Sequence, residues 1–197
     1  MLDEAARFSE TVLAPLNKIG DDIGCKYDKA TGNVTAPPGS KQAFDQFVEG
    51  GWTGLTASPD CGGQGLPHTM GVPLNEMVNA SNLAWGNFPL LSHGAVEALK
   101  HHGEAWQQEV FLKPLVEGRW TGTMCLTEPH CGTDLGLLKT KAEPNADGSY
   151  AITGTKIFIT AGEHDLTDNI VHLVLAKLPD APPGAKGISL FVTPKFK

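Results

Sequence analysis

The sequence predicts an α+β chain: an all-α N-terminal helical domain over residues 1–119, then a partial antiparallel β-barrel or sheet domain over residues 120–197. Three observations predict it. Up to about residue 112, apolar residues recur every three or four positions, the spacing of one helical face. After Trp120 the segments become short and β-branched, with Gly and Pro turns between them. No helix of crossover length separates these later segments, which argues against a parallel βαβ sheet.

Leu2, Ala5, Phe8, Val12, Leu16 and Ile19 mark the first helix, with Gly20 as its stop. Gly24, Gly32, Pro37, Pro38 and Gly39 make residues 24–39 a loop. Ser40 reads as the cap of a short helix with an apolar face of Ala43, Phe44, Phe47 and Val48, ended by Gly50-Gly51. Residues 58–67 are turn chemistry throughout. A helix over residues 68–82 carries Met70, Leu74, Met77 and Val78. Another over residues 88–102 carries Leu91, Ala95, Val96 and Leu99 and ends at Gly103. Residues 104–112 give one more, and Pro114 restarts the chain as a single turn. Strands are expected at residues 121–126, 151–153, 156–160, 169–176 and 187–193. Asn145-Ala146-Asp147-Gly148, Gly154, Gly162 and Pro182-Pro183-Gly184 divide them. Residues 120–197 are few for a whole sheet domain, so the chain is expected to be a piece of a longer protein.

Of 197 residues, 41% are hydrophobic and 19% charged, which supports a packed core and excludes a disordered chain. The net charge of −7 argues against a nucleic-acid binder and against a binder of anionic membranes. Glycine and proline, 23 and 14 residues, argue against a helical bundle throughout. No apolar run approaches the roughly 18 residues of a membrane helix. Asp3, Glu4 and Glu10 interrupt the start, unlike a signal peptide. Cys25, Cys61, Cys125 and Cys131 include no C-x-x-C pair, so the expectation is free thiols in the cytoplasm.

Few residues carry chemistry by spacing alone. Gly62-Gly63-Gln64-Gly65 precedes a helix, as a phosphate-binding turn does, but follows no strand and reads equally as an interhelix turn. His101 and His102 are adjacent and cannot share a helical face, and His130-Cys131 has no familiar ligand spacing from Cys125, so no metal site is expected. G-x-S-x-G and H-E-x-x-H are both missing. The segment that stands out runs Met124-Cys125-Leu126-Thr127-Glu128-Pro129-His130-Cys131-Gly132-Thr133-Asp134. It leaves a strand with two hydroxyls and two carboxylates, and Gly132 permits close backbone approach. A polar strand-to-strand loop and a ligand-binding loop both fit this chemistry.

That segment resembles the flavin-binding signature of acyl-CoA dehydrogenases: Leu-Thr-Glu-Pro, two variable positions, Gly, Ser or Thr, then Asp. A second signature follows one hairpin later as Ile152-Thr153-Gly154-Thr155-Lys156-Ile157-Phe158-Ile159-Thr160-Ala161-Gly162. A third lies upstream, Pro59-Asp60-Cys61-Gly62-Gly63-Gln64-Gly65-Leu66. The three stand in family order and span essentially the whole chain. His130-Cys131 replaces a usual Gly-Ala pair, and Phe158 stands where many members have Trp. The run from Leu126 to Leu138, with Glu163-His164-Asp165, resembles the larger bacterial members of the methylthiopropanoyl-CoA dehydrogenase type.

The resemblance implies FAD as cofactor and an acyl-CoA thioester as substrate. A carboxylate takes the α-proton and the β-hydrogen leaves as hydride to the flavin, giving a trans-2-enoyl-CoA. By position, Met124, Leu126 and Thr127 would line the isoalloxazine ring. Gly132 and Thr133 would approach the cofactor phosphates, with Thr133 also near substrate. Phe158 would pack on the ring, with Ile159 beside it and Thr160 hydrogen-bonding near N5. The family's base is a glutamate of a C-terminal helical domain that this chain lacks, so no catalytic residue is assigned. This span alone is expected to be inactive and to hold FAD poorly. The implied partners are an electron-transfer flavoprotein or similar acceptor, and further copies of the full-length chain. An acyl-CoA oxidase, or a non-catalytic or DNA-associated flavoprotein on the same scaffold, fits the same residues.

Overall fold

The computed structural model describes residues 1–196. The chain is helical first and sheet-bearing second, as the sequence predicts. Helix α1 (Leu2–Phe8), a π-helical turn (Ser9–Leu13) and α2 (Ala14–Ile23) follow one another without a break. Gly20 does not stop them; Gly24 does, at φ 68. A glycine in helical geometry costs only about 0.5–1 kcal/mol, whereas a positive φ ends the hydrogen-bond ladder. Within the expected loop 24–39 lies a small antiparallel hairpin, β1 (Lys26–Tyr27) with β2 (Val34–Thr35).

Helix α3 (Ser40–Glu49) starts one residue earlier than a Ser40 cap implies: Gly39 is the cap, at φ 87. The two long helices expected over residues 68–102 form one element, α4 (His68–His102), kinked at Asn82. The Asn82 side chain causes the kink. Its Oδ1 accepts the Trp85 N–H at 3.0 Å, capping the second half as the first half ends. Its Nδ2 donates to the Leu13 carbonyl at 3.3 Å, which pins the bend to the N-terminal helix. Helix α5 (Ala105–Val116) starts with a capping box between Glu104 and Gln107 and runs straight through Pro114. The expected restart does not occur. Leu115 and Val116, just beyond the proline, are each 2% exposed, and their burial offsets the lost backbone hydrogen bond.

The sheet is mixed and open, not antiparallel and not a closed barrel. Its central strand is β6 (Asn169–Lys177). This runs parallel to β3 (Trp120–Cys125), in register from Trp120 opposite Asn169 to Cys125 opposite Val174. β4 (Lys141–Pro144) pairs antiparallel with β5 (Tyr150–Thr153) and meets β6 in parallel at Lys141 and Lys177. β7 (Ile188–Pro194) closes antiparallel onto β6. A parallel pair needs a crossover of a dozen or more residues, not necessarily a helix. Residues 126–168 supply that length with the β4–β5 hairpin and loops. The strand expected at residues 156–160 does not form. Phe158 and Ala161 have φ of 56° and 53°, which no strand accommodates.

Two clusters of buried side chains hold the halves together. Phe8, Phe44, Phe47, Trp85 and, from the sheet half, Leu166 form one, with Trp52 packed against it. Leu99, Phe111, Leu112, Leu115 and Val116 pack with Val171 of β6 in the other. Gly122 lets β3 press on α4: a Cβ there would lie 2.4 Å from the Ala95 Cβ. Gly122→Val is therefore expected to cost about 1–3 kcal/mol by overpacking. Thermal unfolding checks it, and an unchanged midpoint contradicts the close approach.

Candidate functional site

The two later signatures meet at the end of β3. The Ile157 N–H donates to the Thr127 carbonyl at 2.9 Å, and Lys156 Nζ donates to the Leu126 carbonyl at 3.1 Å. The Thr123 hydroxyl donates to the Thr160 carbonyl at 2.6 Å. These bonds fasten residues 156–160 against the strand's exit without forming a ladder. Residues 128–131 close a tight turn, with Glu128 N to Cys131 O at 2.8 Å and Cys131 N to Glu128 O at 3.1 Å. Gly132 follows it, and a Cβ there would sit 3.3 Å from Thr127 Cγ2.

Glu128 organises this junction. It is 3% exposed, and its carboxylate accepts from the Lys139 N–H at 2.8 Å, the Thr140 N–H at 3.0 Å and the Thr140 hydroxyl. Lys156 Nζ completes the set at 3.0 Å, with a side chain only 10% exposed. Burial raises the Glu128 pKa, but the Thr140, Lys139 and Lys156 hydrogen bonds prevail and hold it at about 2. A carboxylate held ionised at neutral pH by four hydrogen bonds is a clamp and not a proton acceptor. Asp134, the other carboxylate of the loop, accepts the Gly136 N–H at 3.1 Å and caps a short turn.

The candidate residues divide into groups. Thr133, Phe158 and Thr160 are exposed, Phe158 by 87%, and Met124, Leu126, Thr127 and Gly132 are half-buried. Among the described residues, the hydroxyls of Thr127, Thr133 and Thr160 make no hydrogen bond. An exposed aromatic ring at φ 56 and three uncommitted hydroxyl donors on two joined loops are the kind of groups that suit a planar ligand rich in acceptor atoms. Ile159, half-buried, also lines an open groove with Cys125, Lys156 and His172. Among the described residues no hydrogen bond joins Thr133 to Phe158 or Thr160, and Met124 alternates with Thr123 at the end of β3.

The remaining candidates resolve structurally. In the Gly-rich turn, the Gly63 and Gly65 N–H groups donate to Ser58 and Ala57 carbonyls at 2.9 Å each, so they are not free to cradle a phosphate. Cys125 Sγ and His172 Nδ1 lie 3.9 Å apart, but burial pushes the thiol's pKa up and the imidazole's down. Both stay neutral, the reverse of an activated cysteine. Glu128, His130 and Cys131 bring ligand-type atoms within 4.8 Å of one another, a grouping the sequence spacing did not suggest. Thr140 and Lys156 occupy Glu128 Oε1, and Oε2 accepts the Lys139 N–H and lies 3.5 Å from His130 Nε2, so the grouping is already held together without a cation. A cavity of about 240 Å³ between α3, α4 and α5 is lined by Phe44, Trp52, His93 and Trp120 and contains none of the signature residues.

Comparison with known proteins agrees with this geometry. Residues 1–119 match the family model "Acyl-CoA dehydrogenase, N-terminal domain", and residues 123–197 match "Acyl-CoA dehydrogenase, middle domain". The chain is 50% identical to the 3-methylmercaptopropionyl-CoA dehydrogenase of Ruegeria pomeroyi, over 99% of this chain and 33% of that protein. It is 39% identical to a butyryl-CoA dehydrogenase of Syntrophomonas wolfei, over 99% of this chain and 32% of that one. The solved butyryl-CoA dehydrogenase of Megasphaera elsdenii superposes with a TM-score of 0.81 at 30% identity, covering 99% of this chain and 47% of that structure. The chain thus spans about a third of the length of these curated relatives. With both halves matched and the two signatures joined at one junction, the chain belongs to the acyl-CoA dehydrogenase family.

Proposed function

We propose that the protein carrying this chain is an FAD-dependent acyl-CoA dehydrogenase, with residues 1–119 and 120–197 as two of its domains. The observation that carries the reading is the junction of the two signature loops through the Ile157 N–H and the Thr127 carbonyl, with an exposed Phe158 ring and unbonded Thr127, Thr133 and Thr160 hydroxyls on those loops. FAD, when bound, supplies the hydride acceptor for oxidation of an acyl-CoA thioester to the trans-2-enoyl-CoA. Phe158 would pack on the ring. Thr127 and Thr160 would donate to its acceptor atoms, and Met124, Leu126 and Ile159 would line it. Gly132 would let the loop backbone approach the cofactor phosphates, and the Thr133 hydroxyl would serve them and the substrate. Glu128 sets the spacing of the two loops but moves no proton, because the hydrogen bonds of Thr140, Lys139 and Lys156 hold it ionised at neutral pH.

The substrate-side partners are an acyl-CoA and an electron-transfer flavoprotein, and the full-length protein associates with further copies of itself. No helix of the described residues is long and apolar enough to cross a membrane. The cysteines are free, and a reducing cytoplasm fits them. Thr127→Ala and Thr160→Ala, made in the longer parent protein with its flavin bound, are each expected to shift the flavin absorption band or its reduction potential, since each removes a donor to the ring. Spectra and potential unchanged in both variants would overturn the residue assignment.

A further inference from the structure

The signature loop has two arms, residues 129–133 leaving β3 and residues 134–138 returning toward β4. Its own backbone bonds are local: Glu128 with Cys131, Asp134 with Leu137, and Leu135 with Leu138. At its foot the Glu128 carboxylate takes the Lys139 and Thr140 N–H groups. Above the foot, His130 crosses from one arm to the other. Its Nε2 lies 3.0 Å from the Leu137 carbonyl and 3.5 Å from Glu128 Oε2. A carbonyl and an ionised carboxylate can only accept, so the proton sits on Nε2 and His130 is the donor. Between the clasped positions, Gly132 is half-buried and Thr133 and Asp134 are exposed. Among the described residues, the N–H groups of these three and the Thr133 hydroxyl make no hydrogen bond. Open donors on a loop of this kind lose conformational entropy when a ligand orders them, and that loss weakens binding unless the fold has already ordered them.

We propose that His130 is a positioning residue of this loop: its ring N–H clasps the returning arm at Leu137 to the leaving arm, and so holds the free donors of Gly132, Thr133 and Asp134 in place before the ligand arrives. The ring itself touches no ligand in this scheme. From outside the loop, Lys177 Nζ holds the neighbouring Gly136 carbonyl at 2.8 Å, which steadies the returning arm but does not tie it to the leaving one. That tie falls to His130. Glycine, usual at this place in the signature, has no side-chain donor, so the clasp belongs to the His130-Cys131 departure of this chain. Reading the ligand as FAD rests on the function proposed above; the ordering of the loop does not.

The test compares His130→Ala with His130→Gln, since glutamine carries a donor nitrogen as many bonds from Cα as His Nε2. In the ligand-free 197-residue chain, amide order parameters at Gly132, Thr133, Asp134 and Gly136 are expected to fall below about 0.6 in the alanine variant and to stay near the wild-type value in the glutamine variant. The side chain is 37% exposed and Glu128 keeps its bonds to Lys139, Thr140 and Lys156, so both variants should melt within about 2–4 °C of wild type. In the longer parent protein, freed of flavin and titrated with FAD, alanine is expected to weaken binding about three- to tenfold, and glutamine to restore it to within about twofold. A loop as rigid in His130→Ala as in wild type overturns the proposal. So does FAD affinity unchanged in His130→Ala, or equally weakened in both variants. Failure of the flavin reading shows separately, as unchanged spectra in the Thr127 and Thr160 variants, and the ligand-free comparison still decides whether His130 holds the loop.

Discussion

Glu128→Ala is expected to cost about 3–5 kcal/mol of stability, the range for removing one partner of a buried ion pair, and to lower the melting temperature by roughly 10 °C. The carboxylate is 3% exposed and satisfies two backbone N–H groups, one hydroxyl and Lys156 Nζ. Removing it strands all four, including an ammonium whose side chain is 10% exposed. Glu128→Gln keeps the volume and one acceptor oxygen, so it should fall between wild type and alanine. Differential scanning calorimetry checks the order. The same group predicts acid sensitivity. Its pKa is about 2 in the fold against 4.5 unfolded, so its contribution is complete above pH 4.5 and is lost as pH falls through that window toward 2. Equal stability of all three proteins at neutral pH would mean that the clamp contributes nothing.

A second loss of stability is expected at milder acidity, between pH 6.5 and 4, and His164 is its source. The imidazole is 4% exposed. Its Nδ1 accepts the Leu166 N–H at 3.2 Å, which leaves the proton on Nε2, 3.0 Å from the Thr121 hydroxyl. A second proton would have to enter at Nδ1 against that N–H. Burial lowers the pKa from 6.5 to about 4; the neighbouring Glu163 and Asp165 raise it, and Lys195 and His172 lower it. The unfolded chain therefore takes up a proton between pH 6.5 and 4 that the fold refuses. Stability is full above pH 6.5 and falls by about 3 kcal/mol by pH 4. Half-buried His172, also shifted down by burial, adds in the same direction. Urea unfolding from pH 7 to 4 measures the slope. His164→Leu should start less stable at pH 7 and lose distinctly less on acidification; parallel slopes would contradict the assignment.

What was legible in the sequence was local. The three- and four-residue spacing of Phe8, Leu74, Val78, Val96 and Leu99 found helices whose apolar faces the core buries. The positive-φ glycines at 24 and 39 shifted the ends by a few residues. The parallel pairing of β3 with β6 was not legible, because residues 126–168 complete the crossover without a helix. Ile157, Ile159 and Thr160 read as a strand, yet Lys156 is drawn to Glu128 and Phe158 turns to φ 56, so tertiary bonds override the β propensity. The site residues were legible through their motif. The clamp was not: Thr140 and Lys156 lie 12 and 28 positions from Glu128, and no periodicity marks such a distance.

The central claim, that residues 124–133 and 158–160 form one flavin-binding surface, is tested most directly by nuclear magnetic resonance. Weak binding of FAD to the isotope-labelled chain is read as amide shifts at rising FAD concentration. The account predicts shifts concentrated at Leu126, Thr127, Gly132, Thr133, Phe158 and Thr160, moving together along one binding curve. Shifts that spare both loops while appearing in the 240 Å³ helical cavity or the Gly-rich turn would contradict it.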